Sequence, residues 1–212
     1  MVFSDERALV LARYDRAIGP DGQVMRVHQE DICQALGYPP SRKYERGDGG
    51  PGILDMVQLV RRVQPLSRSR RAIEHYVKAL AYNWLIYGPD AHAKNYSLLL
   101  SGSEVAPSPL YDVSSVLSYP QAFNLRQMAM AMSVNGKYQN SLIHREDWVA
   151  LAARLDLDAD MVLTWVRDLA ERAPDAFDAA ARADHEVIGD LAVVRDLVEN
   201  VARCSHELSR YL

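Results

Sequence analysis

A mainly helical α+β fold is the class that the sequence predicts, and three observations predict it. Between residues 68 and 86, Ile73, Tyr76, Val77, Leu80, Ala81, Trp84 and Leu85 recur at three- and four-residue steps, while Arg70, Arg71, Glu74, His75 and Lys78 fill the other side. That is an amphipathic helix facing a core. Beyond residue 145 the same period returns in further segments, at about 145–154, 159–172, 174–183 and 186–210, giving a helical C-terminal third. Between and before these regions lie only short apolar runs bounded by Gly, Ser and Asn, which read as strands.

The 212 residues suit one domain of ordinary size, or a large lobe of something bigger, with chain enough for a substantial core. Hydrophobic content of 49% with 25% charged residues describes a globular chain and leaves no case for disorder. A formal net charge of −4 argues against a general nucleic-acid binder. No apolar run reaches the roughly 18 residues of a membrane span, and the N-terminus MVFSDERALVLARYDR carries acidic groups where a signal peptide carries basic ones. A soluble, cytoplasmic protein is expected, with Cys33 and Cys204 as reduced thiols.

In order, residues 7–13, RALVLAR, predict a short buried strand, Gly19-Pro20-Asp21-Gly22 a turn, and Val24–Val27 a second strand returning beside the first. A helix over 29–36 is stopped by Gly37 and Pro39-Pro40. Gly47, Gly49 and Gly52 have G-x-G-x-x-G spacing. A phosphate loop is excluded there, because such a loop follows a strand and Pro51 lacks the N–H that a phosphate needs. A flexible loop leading into a helix at 52–64, with Ile53, Met56, Val57 and Val60 on its inner face, is expected instead. The helix at 68–86 breaks at Gly88-Pro89. Ser97–Leu100 and Ser108–Tyr111 are expected to pair around Ser101-Gly102-Ser103. Leu125–Val134 reads as a strand with Met128, Met130 and Met132 on one face, a packing stripe rather than a binding surface. Asn135-Gly136-Lys137 is a turn, Asp158 or Asp160 caps the helix from 159, and Pro174 opens a new one. His144, His185 and His206 stand apart, without the matched ligands of a zinc site.

The chemistry concentrates between Tyr82 and Asp112, in YNWLIYGPDAHAKNYSLLL and the PLYDVSS that follows. Asp90, Lys94 and Asn95 share one loop behind the long helix, and Asp112 comes one hairpin later. Phosphoryl transfer from ATP needs an acidic group at the acceptor hydroxyl and oxygen ligands for Mg²⁺, and the D-x-x-x-x-N spacing followed by a second aspartate is that of a protein-kinase catalytic loop. The same residue types also serve as plain turn formers, because their side chains bond local backbone. If the catalytic reading holds, the hairpin brings the Asn95 and Asp112 side chains within about 8 Å, close enough to share an ion.

Together, D-A-H-A-K-N-Y-S at 90–97, Y-D-V-S-S at 111–115 and H-Q-E-D-I-C-Q-A-L-G-Y-P-P-S-R-K-Y-E at 28–45 resemble the HipA family of bacterial serine/threonine kinases, toxins of type II toxin–antitoxin pairs. The resemblance runs from about Leu9 to the C-terminus. It implies a protein-kinase-like C-terminal lobe, with a hinge strand region at 1–16 and the lobe itself at 17–212, and without the small N-terminal lobe. Asp90 would be the general base, Asn95 and Asp112 the Mg²⁺ ligands, and Lys94 the neighbour of the transferred phosphoryl group. Backbone at Ala12 and Tyr14 would meet adenine and Asp15 the ribose, although Arg13 and Arg16 also offer Asp15 a plain ion pair. His92 would touch nucleotide or support the loop. Lys43 and Tyr44 belong to the family signature with no chemistry assigned. The implied ligands are ATP and Mg²⁺; the implied partners are a protein substrate of the translation machinery, a helix-turn-helix antitoxin and a small-lobe polypeptide, without which the chain is expected to have little activity. Neither membrane nor direct nucleic-acid contact is expected. Two other readings stay open: a pseudo-kinase module that binds an antitoxin, and a Mg²⁺-dependent phosphotransferase of small molecules such as an aminoglycoside-type kinase. The intact Asp90, Asn95 and Asp112 set favours a catalytic lobe over the first, and the blocks at 28–45 and 111–115 favour it over the second.

Overall fold

The computed structural model describes residues 2–3, 6–7, 10–183 and 191–212. Two antiparallel hairpins come first: β1 (Val2–Phe3) with β2 (Glu6–Arg7), and β3 (Arg16–Ile18) with β4 (Val24–Arg26). Of the strand expected over 7–13, Arg7 lies in β2 while residues 10–13 form no strand, and Val10 and Leu11 are 55% and 73% exposed. An apolar run becomes a strand only where a neighbour takes its N–H and C=O groups. Here β4 pairs with β3, across the expected turn at 19–22, and leaves 10–13 without a ladder among the described residues.

A three-stranded antiparallel sheet follows in the order β5-β6-β7, made of β5 (His28–Asp31), β6 (Ser97–Ser101) and β7 (Glu104–Pro107). The helix expected from 29 begins only at Ile32, as α1 (Ile32–Leu36). Asp31 decides the switch. Its carboxylate accepts the Gln34 N–H at 2.9 Å while the Gln34 side chain accepts the Asp31 N–H at 3.0 Å, a capping box that fixes the helix start. Gly37, at φ 72°, closes α1 in the left-handed region. The second strand of the hairpin lies at 104–107, not 108–111, because the two-residue turn Gly102-Ser103 starts the pairing at Ser101↔Glu104 and sets the register to Leu98↔Pro107.

Helices α2 (Ile53–Val63) and α3 (Leu66–Leu85) pack on each other, and every apolar residue of their predicted inner faces is buried. The end of α3 is pinned. Trp84 meets Trp148 edge-on at 5.5 Å between ring centroids, its indole N–H donates to the Asn140 carbonyl at 3.1 Å, and Asn140 Nδ2 donates to the Trp84 carbonyl at 2.7 Å. The last of these bonds satisfies a carbonyl that a helix end leaves open.

Strand β8 (Ala129–Val134) turns through Asn135 and Gly136, both at positive φ, into β9 (Lys137–Gln139). It starts later than expected, since Leu125–Gln127 forms a 3-10 turn capped by the Asn124 side chain. Met130 and Met132 are core residues and Met128 packs against them, so the stripe is packing. Helices α4 (Arg145–Arg154), α5 (Ala159–Ala183) and α6 (Ala192–Ser209) complete the fold, with α5 lying against α3, α4 and α6. Asp158 caps α5 by accepting the Met161 N–H at 2.8 Å. Pro174 lies inside α5 and opens no new helix. Proline forfeits one intrahelical bond, and the packing of Ala170 and Ala173 before it and Phe177 after it holds the helix through the gap. His185 and the expected helix start at 186 lie outside the described residues. Cys33 and Cys204 are buried and unbridged, and among the described residues no helix is long and apolar enough to cross a membrane.

Candidate active site

The chain leaves α3 through Ile86, Tyr87 and Gly88. A Cβ on Gly88 would lie 2.5 Å from Asn83 Oδ1 and 3.1 Å from the Ser114 carbonyl, so the close approach requires glycine. The loop beyond is tied by its own backbone: His92 N–H to the Asp90 carbonyl at 2.8 Å and Asn95 N–H to the His92 carbonyl at 2.9 Å. Asp90 is half-exposed, and its Oδ1 accepts the Tyr44 hydroxyl at 2.5 Å. His92 is buried beside it with Nε2 at 3.9 Å from the same oxygen and its ring edge-on to Tyr44. Burial, then the Lys43 charge, lowers the His92 pKa and favours a neutral ring.

Asn95 and Asp112 meet. Asn95 is buried, its Nδ2 donates to Asp112 Oδ2 at 3.1 Å, and its Oδ1 is buried without a hydrogen-bond partner among the described residues. A hollow of about 10 Å³ lies between Asn83, Ala91, Asn95 and Asp112, roughly the room of one water-sized probe. An orphaned amide oxygen beside a carboxylate is a donor set that suits Mg²⁺, which takes hard oxygen ligands, and turning the amide over brings Oδ1 to the Asp112 side. Asp112 is held at φ 53°, a conformation that L-residues adopt at some cost.

Lys94 points elsewhere: its Nζ donates to Asp31 Oδ2 at 2.6 Å, a partner that sequence spacing gave no sign of. Tyr111, also unforeseen, braces the site by donating its hydroxyl to the Lys94 carbonyl at 2.7 Å and sharing a hydrogen bond with Ser97 Oγ. Next to these residues opens a cleft of about 650 Å³, lined on one side by residues 11–15 and on the other by Gln29 and residues 110–112. Ala12, Tyr14, Asp15 and Asp112 thus face one cavity, which Asp90, His92, Lys94 and Asn95 do not line. Tyr14 stacks near Tyr111, with centroids 6.4 Å apart. Arg13 grips both oxygens of Asp15 at 2.7 and 2.8 Å, and Arg16 joins it. The Arg13 hydrogen bonds hold the Asp15 carboxyl well below the usual carboxylate range. Far from this site, His144, Glu146 and Asp147 bring ligand atoms together, but Asp147 is spent on Lys137 Nζ at 2.8 Å and on the His144 N–H at 2.9 Å as a helix cap.

A loop carboxylate at the end of a core helix, an Asn–Asp pair across a hairpin and a cleft bounded by an extended segment make this a kinase-like lobe. Residues 1–177 match the HipA-like C-terminal domain, and the chain belongs to that family. It is 31% identical to the putative kinase Y4mE of Sinorhizobium fredii over 92% of this chain and 44% of that protein. It is 30% identical to the serine/threonine-protein kinase toxin HipA of Shewanella oneidensis over 82% of this chain and 41% of that one. The fold superposes on the Shewanella oneidensis HipA solved with HipB and its operator DNA, with a TM-score of 0.74 and 25% identity over 94% of this chain and 48% of that chain. The chain therefore spans less than half the length of these relatives.

Proposed function

We propose that the chain is the catalytic lobe of a HipA-like serine/threonine kinase that moves the γ-phosphoryl group of ATP to a protein hydroxyl. The meeting of Asn95 and Asp112 at 3.1 Å, beside a cleft of about 650 Å³, carries the reading. Asn95 Oδ1 and the Asp112 carboxylate hold Mg²⁺, which neutralises phosphate charge when bound. Asp90 receives the proton of the acceptor hydroxyl. Backbone at Ala12 and Tyr14 meets the adenine. Asp15, pinned and ionised by Arg13, is a fixed acceptor for ribose hydroxyls. His92, neutral and buried, supports the loop. Lys94, one-third exposed, exchanges Asp31 for the phosphoryl group as that group arrives.

The cleft between residues 11–15 and 110–112 takes the nucleotide in this reading, and a small-lobe polypeptide is a proposed partner for it. A DNA-binding antitoxin is the proposed partner, a reading supported by the HipB bound to the solved relative. Calorimetric titration of Mg-ATP into the protein and into Asp112→Ala tests the core of the proposal, with Mg²⁺-dependent binding expected to weaken at least about tenfold in the variant. Phosphate transfer to lysate proteins, with and without an added small-lobe polypeptide, tests the chemistry. Absence of binding at millimolar ATP would leave a binding module for an antitoxin as the better reading.

A further inference from the structure

Residues 43–45 carry a family signature to which the reaction above gives no task, yet Lys43 and Tyr44 bond the 90–95 loop and Glu45 bonds β8. The Lys43 carbonyl accepts the Ala93 N–H at 3.1 Å. The Tyr44 hydroxyl donates to Asp90 Oδ1 at 2.5 Å, and its ring stands 5.0 Å from the His92 ring, edge to face. The Glu45 carboxylate takes both the N–H and the hydroxyl of Ser133, at 2.6 and 2.9 Å, which anchors the segment to β8. Gly52 leaves room for that anchor, since a Cβ there would lie 2.6 Å from the Glu45 carboxylate.

We infer that Tyr44 is a positioning residue for Asp90, and that Lys43-Tyr44-Glu45 is a splint holding the 90–95 loop at a fixed distance from β8. The inference rests on the kinase reading for the meaning of Asp90, and on geometry alone for the splint. Asp90 follows Pro89 in a turn, its side chain is 49% exposed, and Oδ2 makes no hydrogen bond among the described residues. A half-exposed aspartate without a second contact samples several rotamers. The phenol fixes one oxygen and leaves the other for the acceptor hydroxyl. A neutral donor does this without placing a cation against the base. Functional groups must sit within about 0.5 Å of productive geometry, and a misplacement of about 1 Å costs on the order of a hundredfold in rate.

Tyr44→Phe keeps the ring against His92 and removes only the hydroxyl. The expected result is a kcat for phosphate transfer lower by about ten- to a hundredfold, with the KM for ATP within about threefold of wild type and an unchanged melting temperature. A kcat within about twofold of wild type, or a KM that rises as far as kcat falls, would overturn the positioning role. A second readout needs no activity. The bond to Asp90, with burial and the nearby Asp90 and Asp48 charges, pushes the Tyr44 phenol up to about 12. Titration of ¹³Cζ-labelled tyrosine by NMR, with the Tyr44 signal assigned by its loss in Tyr44→Phe, is expected to show that raised midpoint and its return toward about 10 in Asp90→Ala. If no phosphate is transferred even with an added small-lobe polypeptide, the kinase reading falls and this titration alone decides the contact: a wild-type midpoint near 10 sinks it.

Discussion

Replacing Asn95 with aspartate sets two carboxylates against each other at the 3.1 Å now bridged by Asn95 Nδ2 and Asp112 Oδ2. Two unit charges at that distance repel by about 1 kcal/mol in bulk water and about 5 kcal/mol at an effective dielectric of 20. Asn95 is buried and Asp112 exposed, so a net cost of about 2 kcal/mol is expected, or roughly 4–8 °C in melting temperature for a chain of this size. A divalent cation turns the repulsion into a chelate. Asn95→Asp should therefore melt early in EDTA and recover in millimolar Mg²⁺. Monovalent salt at the same ionic strength should not rescue it, because the Debye length of about 10 Å at 0.1 M far exceeds the separation. Differential scanning fluorimetry in EDTA, MgCl₂ and matched NaCl measures all three arms. Equal recovery in NaCl, or none in Mg²⁺, would refute the cation site and with it the role given to the Asn95–Asp112 pair.

Three further outcomes follow from single contacts. Asn140→Ala leaves the Trp84 carbonyl with only the long 3.4 Å bond from the Tyr87 N–H and should cost about 1 kcal/mol in urea unfolding, although the indole bond to the Asn140 backbone survives. Asp147 is buried, which by itself would raise its pKa, but Lys137, the His144 N–H and Asn135 together bring it below the ordinary value. Its stabilisation is then complete above about pH 4 and lost as pH falls through the folded value, so the stability gap between wild type and Asp147→Asn should shrink on acidification; a gap independent of pH counts against the pairing. Asp112→Gly relieves a positive φ but takes away the carboxylate that accepts the buried Asn95 amide, so it should be less destabilising than Asp112→Ala, which loses the same acceptor and keeps the unfavourable φ, while both weaken Mg²⁺-linked ATP binding. A melting temperature of Asp112→Gly at or below that of Asp112→Ala would argue against the strain.

How much of this was legible in the letters depends on sequence separation. The inner faces of α2 and α3 could be read because a helix repeats its own geometry every few residues, and burial of Ile73, Tyr76, Val77, Leu80, Ala81, Trp84 and Leu85 follows directly. The Asn95–Asp112 meeting could be read because a hairpin spans the 17-residue separation and a hairpin has few geometries. The start of α1 is also written in the letters, as the D-x-x-Q of a capping box at Asp31, which places the first helical residue at 32 rather than 29. Residues 10–13 misled for a different reason: an apolar run records only that a segment can be buried, whereas a strand needs a partner, and β3 had taken β4.

The contacts that the letters hid are those that orient side chains across long separations. Tyr44 reaches Asp90 over 46 residues and Lys94 reaches Asp31 over 63, with no period or turn linking either pair. Both hold the same loop from opposite chemical directions: the phenol fixes the carboxylate proposed to accept a proton, and Asp31 holds the cation proposed to reach phosphate. Because Asp31 Oδ1 also caps α1, any movement of Lys94 toward a phosphoryl group gives up the ion pair while the cap remains. On the proposed reading, the start of α1 would thus keep its shape while the Lys94 charge is redirected, which is what positioning without reorganisation asks of a phosphotransfer site.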